Sequence, residues 1–584
     1  MKKFCCCILI LCVSVHIFGQ TVRNLQRFSG IYIFCERIYL QTDKHLYLAG
    51  EPILMKVLTK NTEQVPVSFS KIAYVELVDN SASRIQIKIE LTYGVGDGIM
   101  HLPADIPTGY YRLIAYTSYM RNEGADVFFE KNIAVLNTFQ SGYIPSETGA
   151  LSQLSSPVSN DFEETAGRGL SLQPDRTSYD TRQRGELLLT GLPENIHTLS
   201  VSIAGKEIIS IEESNVSLFQ KNLTKKTTEF SDEFLPEYEG HIITGKIIDN
   251  QTENIVTDEL YTAPALTIPG EKIRFFAGQK NNTTGEVRFF TSGISEKSQI
   301  ATVMYFADDK YRIDIQSPFV SEHAPKQMPL LHVDSAYYRQ LLERSVALQV
   351  FRYFADENPE NYFVKESYFK MEPTLSYLLD EYTRFPTMRE VFIEFIVGAR
   401  FRRNAEKQDI SVLMKRGDNY SFGTMPLVLL DGVPVSDHTA IYNYDPLTVE
   451  RINIYYGPYI MGGYRFDGIV ELITYRRLHQ YLTLNRSTQV LSYESPQAPY
   501  HFYTPDYSIE TNIKSRIPDG RHTLLWNPDV RTEGKSSIRI PFDTSDLTGE
   551  FQVTVEGITK NGEIVFVTSN FTVNACEEKH NFGF

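Results

Sequence analysis

The 584-residue sequence is short of the residues that build covalent or metal-held frameworks. It has six cysteines, and four of them (Cys5, Cys6, Cys7 and Cys12) fall within the first twelve positions. Cys35 and Cys576 remain near the two ends, which is too few for a disulfide framework or a four-ligand zinc site. These two either pair in an oxidising compartment or stay as separate thiols. The twelve histidines are scattered, and His101, His241, His332, His438 and His501 have no partner at metal-ligand spacing. The net charge of −15, with Lys and Arg dispersed, lacks the basic footprint of a nucleic-acid binder. There is no Gly-x-Ser-x-Gly elbow, HExxH pair, P-loop or dinucleotide-type Gly-rich turn. Asp308-Asp309 and the acidic stretch 529–533 lack the alternation of a calcium loop and read as turns. The expectation is therefore a protein that is not an enzyme, with no catalytic residue, cofactor or metal. The single tryptophan, Trp526, reads as a packing residue.

Long apolar runs are also missing, apart from 4–15. Lys2 and Lys3 precede that run and Gly19 follows it, the layout of a signal peptide over 1–19. It is short for a membrane span. No small residue precedes Cys12, so an exported protein without a lipid anchor is expected, and a lipidated one is the alternative.

What the chain has in quantity is alternation. Aromatic residues make up 12%, mostly Tyr and Phe, which favours strands. The runs 37–42, 53–57, 72–78, 85–91 and 109–119 alternate between Gly, Pro and Asp punctuation, predicting a β-sandwich over 36–139. Within it, RIYLQTDKHLYLAGEPI (37–53) and GIMHLPADIPTGYYRLIAYT (98–117) resemble the macroglobulin-type sandwich domain, with Asp43, Tyr47 and Gly50 in the family's order. The resemblance implies that these three serve the fold. Inhibitory members of that family carry a thioester in a Gly-Cys-Gly-Glu-Gln type motif. This chain has Cys35-Glu36-Arg37 and no such motif, so a covalent protease trap is not implied.

An internal echo follows. LSLQPD (170–175), Tyr179 and Gly185-Glu186 repeat 38–43, Tyr47 and Gly50-Glu51, with three extra residues before the second Gly-Glu. After a Ser/Thr/Gly/Pro-rich linker over 140–168, this predicts a second macroglobulin-like β module over 169–235. A third sandwich is expected over 238–325, with a weaker resemblance to carboxypeptidase regulatory-like domains. The period then changes to helical over 330–384: Leu341, Leu342, Val346 and Phe354 share a face behind Asp334 or Ser335 as cap, and 374–384 and 388–403 read as helices too. Arg400, Arg402 and Arg403 form the one local basic cluster, read as a solvated helix end against the alternative of anionic headgroup contact.

The stretch 425–474, MPLVLLDGVPVSDHTAIYNYDPLTVERINIYYGPYIMGGYRFDGIVELIT, reads as short strands joined by turns at Asp431-Gly432, Asp445-Pro446 and Gly462-Gly463. It resembles the plug domain of TonB-dependent outer-membrane receptors, with 385–414 matching the plug's leading helix and strand. The predicted module spans 385–478. A receptor needs a barrel of many strands after its plug, and 110 residues follow Thr474 here. A Tyr/Pro/Ser-rich linker or wrap is expected over 479–516. Alternation returns in a C-terminal sandwich over 517–575, with Asn561-Gly562 as a hairpin turn. This last module resembles the closing sandwich of exported multi-domain proteins of Bacteroidetes-type bacteria, in which macroglobulin-like and plug-like modules often combine.

The fold class expected is thus mainly β: tandem macroglobulin/immunoglobulin-like sandwiches, a helical segment and an α/β plug-like domain. The function the resemblances imply is binding or scaffolding in the cell envelope, on the periplasmic side of the outer membrane, as an accessory of a transport or assembly complex. The implied partner is an outer-membrane protein, a β-barrel by preference, with the chain peripheral to the membrane. Its candidate partner-binding loops carry Asp431, Gly432, Asp437, His438, Tyr456, Gly457 and Tyr464, with plain turn chemistry as the alternative. Two rival functions stand beside this. One is glycan or peptide binding on an aromatic platform of Tyr500, Phe502, Tyr503 and Tyr507. The other is a protease inhibitor or enzyme whose site is assembled from distant residues.

Overall fold

The computed structural model describes residues 35–575 apart from 62–68, 141–168, 208–216, 219–220, 222–224, 226–229, 258–262, 269–273, 293–296, 306–309, 332, 334–336, 356–371, 405–406, 417 and 477–485. The expected signal peptide, the 141–168 part of the first linker, Asp334, Ser335, Asp308-Asp309 and Cys576 lie outside those residues. The chain is mainly β, as its alternation predicts.

The first sandwich stacks two sheets. One has the order Glu36–Thr42, Pro52–Asn61, Val95–His101. The other has the order Leu46–Leu48, Phe129–Leu136, Gly109–Tyr116, Ile72–Asp79, Ala82–Glu90. Tyr47, Leu77, Leu113 and Phe129 are sealed between them, while Tyr74 and Tyr116 stand on the outer face of the second sheet, covered by Glu237, His241 and Phe319. The turn after the first strand explains the Asp and Tyr of the motif. Tyr47 donates its hydroxyl hydrogen to Asp43 Oδ1 (2.8 Å), and the Leu54 N–H donates to the same oxygen (3.2 Å).

The second sandwich repeats this turn: Tyr179 donates to Asp175 Oδ1 (2.7 Å), and so does the Glu186 N–H (2.7 Å). Asp43 and Leu54 stand as far apart as Asp175 and Glu186, so the structural equivalent of Glu186 is Leu54. The Gly-Glu pairs aligned in the sequence are not equivalent, and no insertion separates the copies here. Glu51 has its own task, described below.

The second sandwich corrects the expected domain division. Its small sheet has the order Ser537–Asp543, Arg184–Thr190, Ser171–Pro174. Its large sheet has the order Ser178–Asp180, Ile564–Asn574, Gly549–Thr559, Ile196–Gly205, Thr523–Asn527. Strand by strand these are the orders of the first sandwich, including a short parallel pairing (Tyr179 with Val573, Tyr47 with Val135). The strands within 169–205 and 523–574, which the expected division placed in separate modules over 169–235 and 517–575, therefore fold as one domain around Leu187, Val201, Val553 and Phe571. In the first sandwich the fourth and fifth strands are joined by Asn80-Ser81 alone. In the second, everything between Gly205 and Thr523 is inserted at that hairpin. The two sandwiches pack closely: Ser200 Oγ donates to Gln41 Oε1 (2.5 Å), Thr523 Oγ1 to Asp43 Oδ2 (2.6 Å), and Trp526 buries against Leu54 and Ile99. This contact is why Glu36–Thr42 is buried on both faces rather than alternating.

The insertion holds two bodies. The third sandwich has seven strands in the order Tyr311–Ile315, Ile242–Asp249, Glu286–Phe290, Arg274–Asn281, Ala263–Ile268, Lys297–Tyr305, Thr488–Glu494. Its last strand comes from the stretch 479–516, so that stretch is not a free linker. Beyond it the chain wraps: Gln497 caps Ile99 on both sides (2.9 and 2.8 Å), and Tyr500 and Phe502 pack on Trp526.

The second body spans 374–476 and is a mixed sheet in the order Ala399–Asn404, Lys407–Arg416, Val449–Met461, Tyr464–Thr474, Leu427–Leu430, Val433–Pro434, with Leu375–Leu378 and Asn419–Gly423 pairing at its sides. Two helical readings are corrected here. The segment 374–384 is a strand and a 3-10 turn, Leu379–Glu381, because Leu375–Leu378 pairs with Val449–Met461. The segment 388–403 is helical only over Met388–Glu394, started by a Thr387/Glu390 capping box, and Ala399–Asn404 is a strand. The arginine cluster thus lies on an edge strand. The long helix of the 330–384 segment, Tyr338–Ala355, is present and covers the first sandwich, with Leu341 packed against Leu46 and Leu136.

Candidate interaction surface

The seven candidate residues do not form one site, and their surroundings explain why. Asp431 and Gly432 both have positive φ (50° and 83°), the geometry of a two-residue turn between Leu430 and Val433. Asp431 is buried. It accepts from the Thr474 N–H (2.7 Å) and Thr474 Oγ1 (2.6 Å), while the Gly432 carbonyl accepts from Thr267 Oγ1 (3.3 Å) of the third sandwich. This turn fixes the sheet and is not an exposed loop.

Asp437 and His438 open a single helical turn, Thr439–Tyr442. Asp437 Oδ1 accepts from the Thr439 N–H (3.0 Å), and His438 Nδ1 accepts from the Ile410 N–H (3.1 Å) with Asp409 at 4.0 Å. Burial pushes the His438 imidazole down towards its neutral form, and Asp409 and Asp437 only partly oppose that. An imidazole that accepts a backbone hydrogen bond must keep that nitrogen unprotonated, so the two observations agree.

Gly457 is buried where Val449–Met461 bulges, and a Cβ there would run into the backbone at Asp467 and Gly468. Tyr464 donates to the Pro264 carbonyl (3.1 Å) and stands edge-on to Phe275 (6.0 Å). Gly462 beside it sits against the Phe275–Ala277 backbone. One face of the mixed sheet, with Leu427, Leu429, Tyr455 and Phe466, is thereby buried on Ala265, Phe275 and Tyr305 of the third sandwich. The other face, with Val428, Leu430, Ile452 and Val470, is covered by Val391 and Phe392 of the short helix.

Tyr456 is different, because it borders a surface. Its ring lies over Gly398, with Tyr420 at 6.4 Å. Next along, Tyr377 accepts the Val397 N–H at its hydroxyl (3.1 Å), and Tyr382 stacks on Phe395 at 4.4 Å. Ile393 (65% exposed), Val397 (72%) and Tyr420 (55%) protrude from this group. Arg400, Arg402 and Arg403 are exposed beside it, and the Arg400 guanidinium lies 3.8 Å over the Phe422 ring. The strands 399–423 carry six basic residues against three acidic ones in a chain of net charge −15. The signal in the sequence was the run VFIEFIV (391–397), apolar on more sides than one short helix can bury.

The aromatic platform expected in 500–507 does not assemble: Tyr500 and Phe502 are packed, Tyr507 is buried and donates to Asp519 Oδ2 (3.0 Å), and Tyr503 alone is well exposed. Among the described residues no group of three or more His, Cys, Asp or Glu is placed to hold a metal ion. No helix of the described residues is long and apolar enough to cross a membrane.

The fold defines a multidomain β-sandwich protein with an inserted mixed-sheet body. No protein-family model matches the chain, and no curated protein matches it. Among solved structures, it is similar to the alpha-2-macroglobulin of Salmonella reacted with methylamine, at 9% identity and a TM-score of 0.24, over 94% of this chain and 40% of that one. It is similar to the Escherichia coli alpha-2-macroglobulin activated by porcine elastase, at 9% identity and a TM-score of 0.24, over 93% of this chain and 44% of that one. It is also similar to the adhesin InvE of Yersinia pseudotuberculosis, at 9% identity and a TM-score of 0.12, over 48% of this chain and 57% of that one. The chain spans about two fifths of the length of the macroglobulins it matches. At these scores the fold rests on the strand orders given above.

Proposed function

We propose that this chain is a non-enzymatic cell-envelope protein that binds or scaffolds partners at the outer membrane, on its periplasmic side, as an accessory of a transport or assembly complex. In this reading the plug-like module, 385–478, docks onto an outer-membrane β-barrel protein. The observation that carries the reading is the exposed group Tyr382, Ile393, Val397 and Tyr420, bordered by the half-buried Tyr456, with the arginines beside it. Aromatic and aliphatic side chains rimmed by Arg are the composition of protein interfaces. Because both faces of the sheet are already buried, the module presents this corner from a rigid support, which limits the ordering cost of docking.

The test is affinity capture of the full chain from a gently solubilised native envelope, followed by mass spectrometry. Recovery of one β-barrel protein at a fixed ratio, lost with Ile393→Asp plus Val397→Asp, is the expected result. Recovery of the chain alone, or capture unchanged by the double substitution, overturns the reading.

A further inference from the structure

A cleft lies where the first sandwich, the second sandwich and the helix Tyr338–Ala355 meet, away from the corner described above. It measures about 600 Å³ counting its open mouth. Leu46, Leu341, Leu547 and Phe551 give it apolar walls. Two of its polar lining residues each have a buried atom without a hydrogen-bond partner: Glu207 Oε2 and His522 Nδ1.

The other charges around it are committed. Arg344 is held by Glu51 (2.8 and 2.6 Å) and by the Leu46 carbonyl (3.0 Å). Lys206 pairs with Glu550 at the rim (2.6 Å) and Glu343 with Arg339 (3.1 Å). Lys44, behind the wall, pairs with Asp43 (3.1 Å) and Glu51 (3.5 Å). Glu207 uses its first oxygen on the N–H groups of His45 and Leu46, with the His45 ring at 3.6 Å. Despite its burial, contact with His45 keeps the Glu207 carboxyl below its ordinary range, hence ionised. Burial likewise keeps His522 neutral. An ionised oxygen and a neutral imidazole nitrogen, both unused, offer acceptors to a donor-rich ligand. A buried acceptor without a donor costs free energy until one arrives.

We propose that this cleft binds a cation on an aliphatic stem, a guanidinium or primary ammonium group of the arginine or lysine type. The charged head reaches Glu207 Oε2 and, with the imidazole proton on Nε2, His522 Nδ1. The stem lies along the leucines and Phe551. The site is independent of the proposed docking corner. Two sources share this chemistry: a side chain of a peptide or protein, and a free alkyl cation.

The experiment is calorimetric titration of the full chain with acetyl-Gly-Arg-Gly-amide, with agmatine, and with acetyl-Gly-citrulline-Gly-amide as the neutral isostere. Saturable one-to-one binding of a cationic probe, weakened at least about tenfold in the citrulline peptide, is expected. Tighter binding of the arginine peptide assigns a protein side chain as the source, and tighter binding of agmatine assigns a free cation. Glu207→Gln should abolish the preference for arginine over citrulline. Thr548→Trp, at an exposed position on the cleft, should block both probes without touching the buried network. Equal binding of the arginine and citrulline peptides, no binding of either cation, or binding unchanged by Thr548→Trp overturns the proposal.

Discussion

Replacing Arg344 by Leu tests how the long helix is fastened. Arg344 and Glu51 are both nearly sealed from solvent, and the guanidinium spans both carboxylate oxygens while also donating to the Leu46 carbonyl. Burial alone would raise Glu51. Arg344 and Lys44 outweigh it and hold the carboxyl at about 2, against an ordinary 4.5. That drop corresponds to about 3 kcal/mol. Breaking a buried pair by removing one partner costs about 3–5 kcal/mol. Lys44 still stands 3.5 Å from Glu51, so the lower end is expected. A carboxyl whose folded value is depressed stabilises fully above its unfolded value of 4.5 and loses that contribution as pH falls towards 2. The wild-type chain should therefore lose about 3 kcal/mol from this group across that window, and Arg344→Leu markedly less. A multi-module chain has no single unfolding free energy, so the readout is amide exchange in Leu46–Leu48, Phe129–Leu136 and the helix, measured against pH. A loss below about 1 kcal/mol at neutral pH, or an unchanged acid profile in the variant, would refute the reasoning.

Two further outcomes follow from the packing. Gly462 and Gly463 both have positive φ, yet an added Cβ at Gly462 meets the Ala277 nitrogen at 2.7 Å, whereas one at Gly463 meets nothing within 4 Å. Gly463→Ala should cost about 1 kcal/mol in the turn alone. Gly462→Ala should cost more and speed amide exchange at Phe275–Ala277 as the two bodies part; equal effects would contradict the docking described. Replacing 208–521 by an Asn-Gly turn should leave a two-sandwich protein with native near-ultraviolet circular dichroism and cooperative melting, because Asn80-Ser81 alone makes the equivalent connection in the first sandwich. A molten or unfolded product would show that the inserted bodies are needed for the second sandwich to form.

What the sequence disclosed, and what it hid, divides by the range of the interaction. The alternation of 72–78 and 109–119 and the Asp-to-Tyr spacing of the two motif copies are local, and each found its strand or turn. The single domain made from 169–205 and 523–574 was hidden, since Ile196–Gly205 pairs with Gly549–Thr559 across hundreds of residues and nothing local marks that partner. The segment 374–384 has leucines at helical spacing, but the edge of Val449–Met461 recruited it as a strand, a case of tertiary pairing overriding local period. The helix predicted to reach 403 stops before Gly398, where the Tyr456 ring leaves no room for a side chain. Asp431-Gly432 was readable as a turn, but its burial depends on Thr267 and Thr474. Tyr456 is legible because its strand is, while its neighbours Ile393 and Val397 sit in the stretch 388–403, whose helical reading singles out neither.

The split second sandwich also sets a timetable. As the chain is synthesised from its N-terminus, the first sandwich has all its strands by Leu136 and can close at once. Leu187, Leu189, Val201 and Ile203 cannot: their covering strands are the last to appear, and two whole bodies must be made in between. Those apolar residues wait in the open for the longest interval in the molecule, the condition that favours mispairing and aggregation. The two strands that finally meet Ile196–Gly205 do not simply add a layer; they end an exposure that the gene order itself creates.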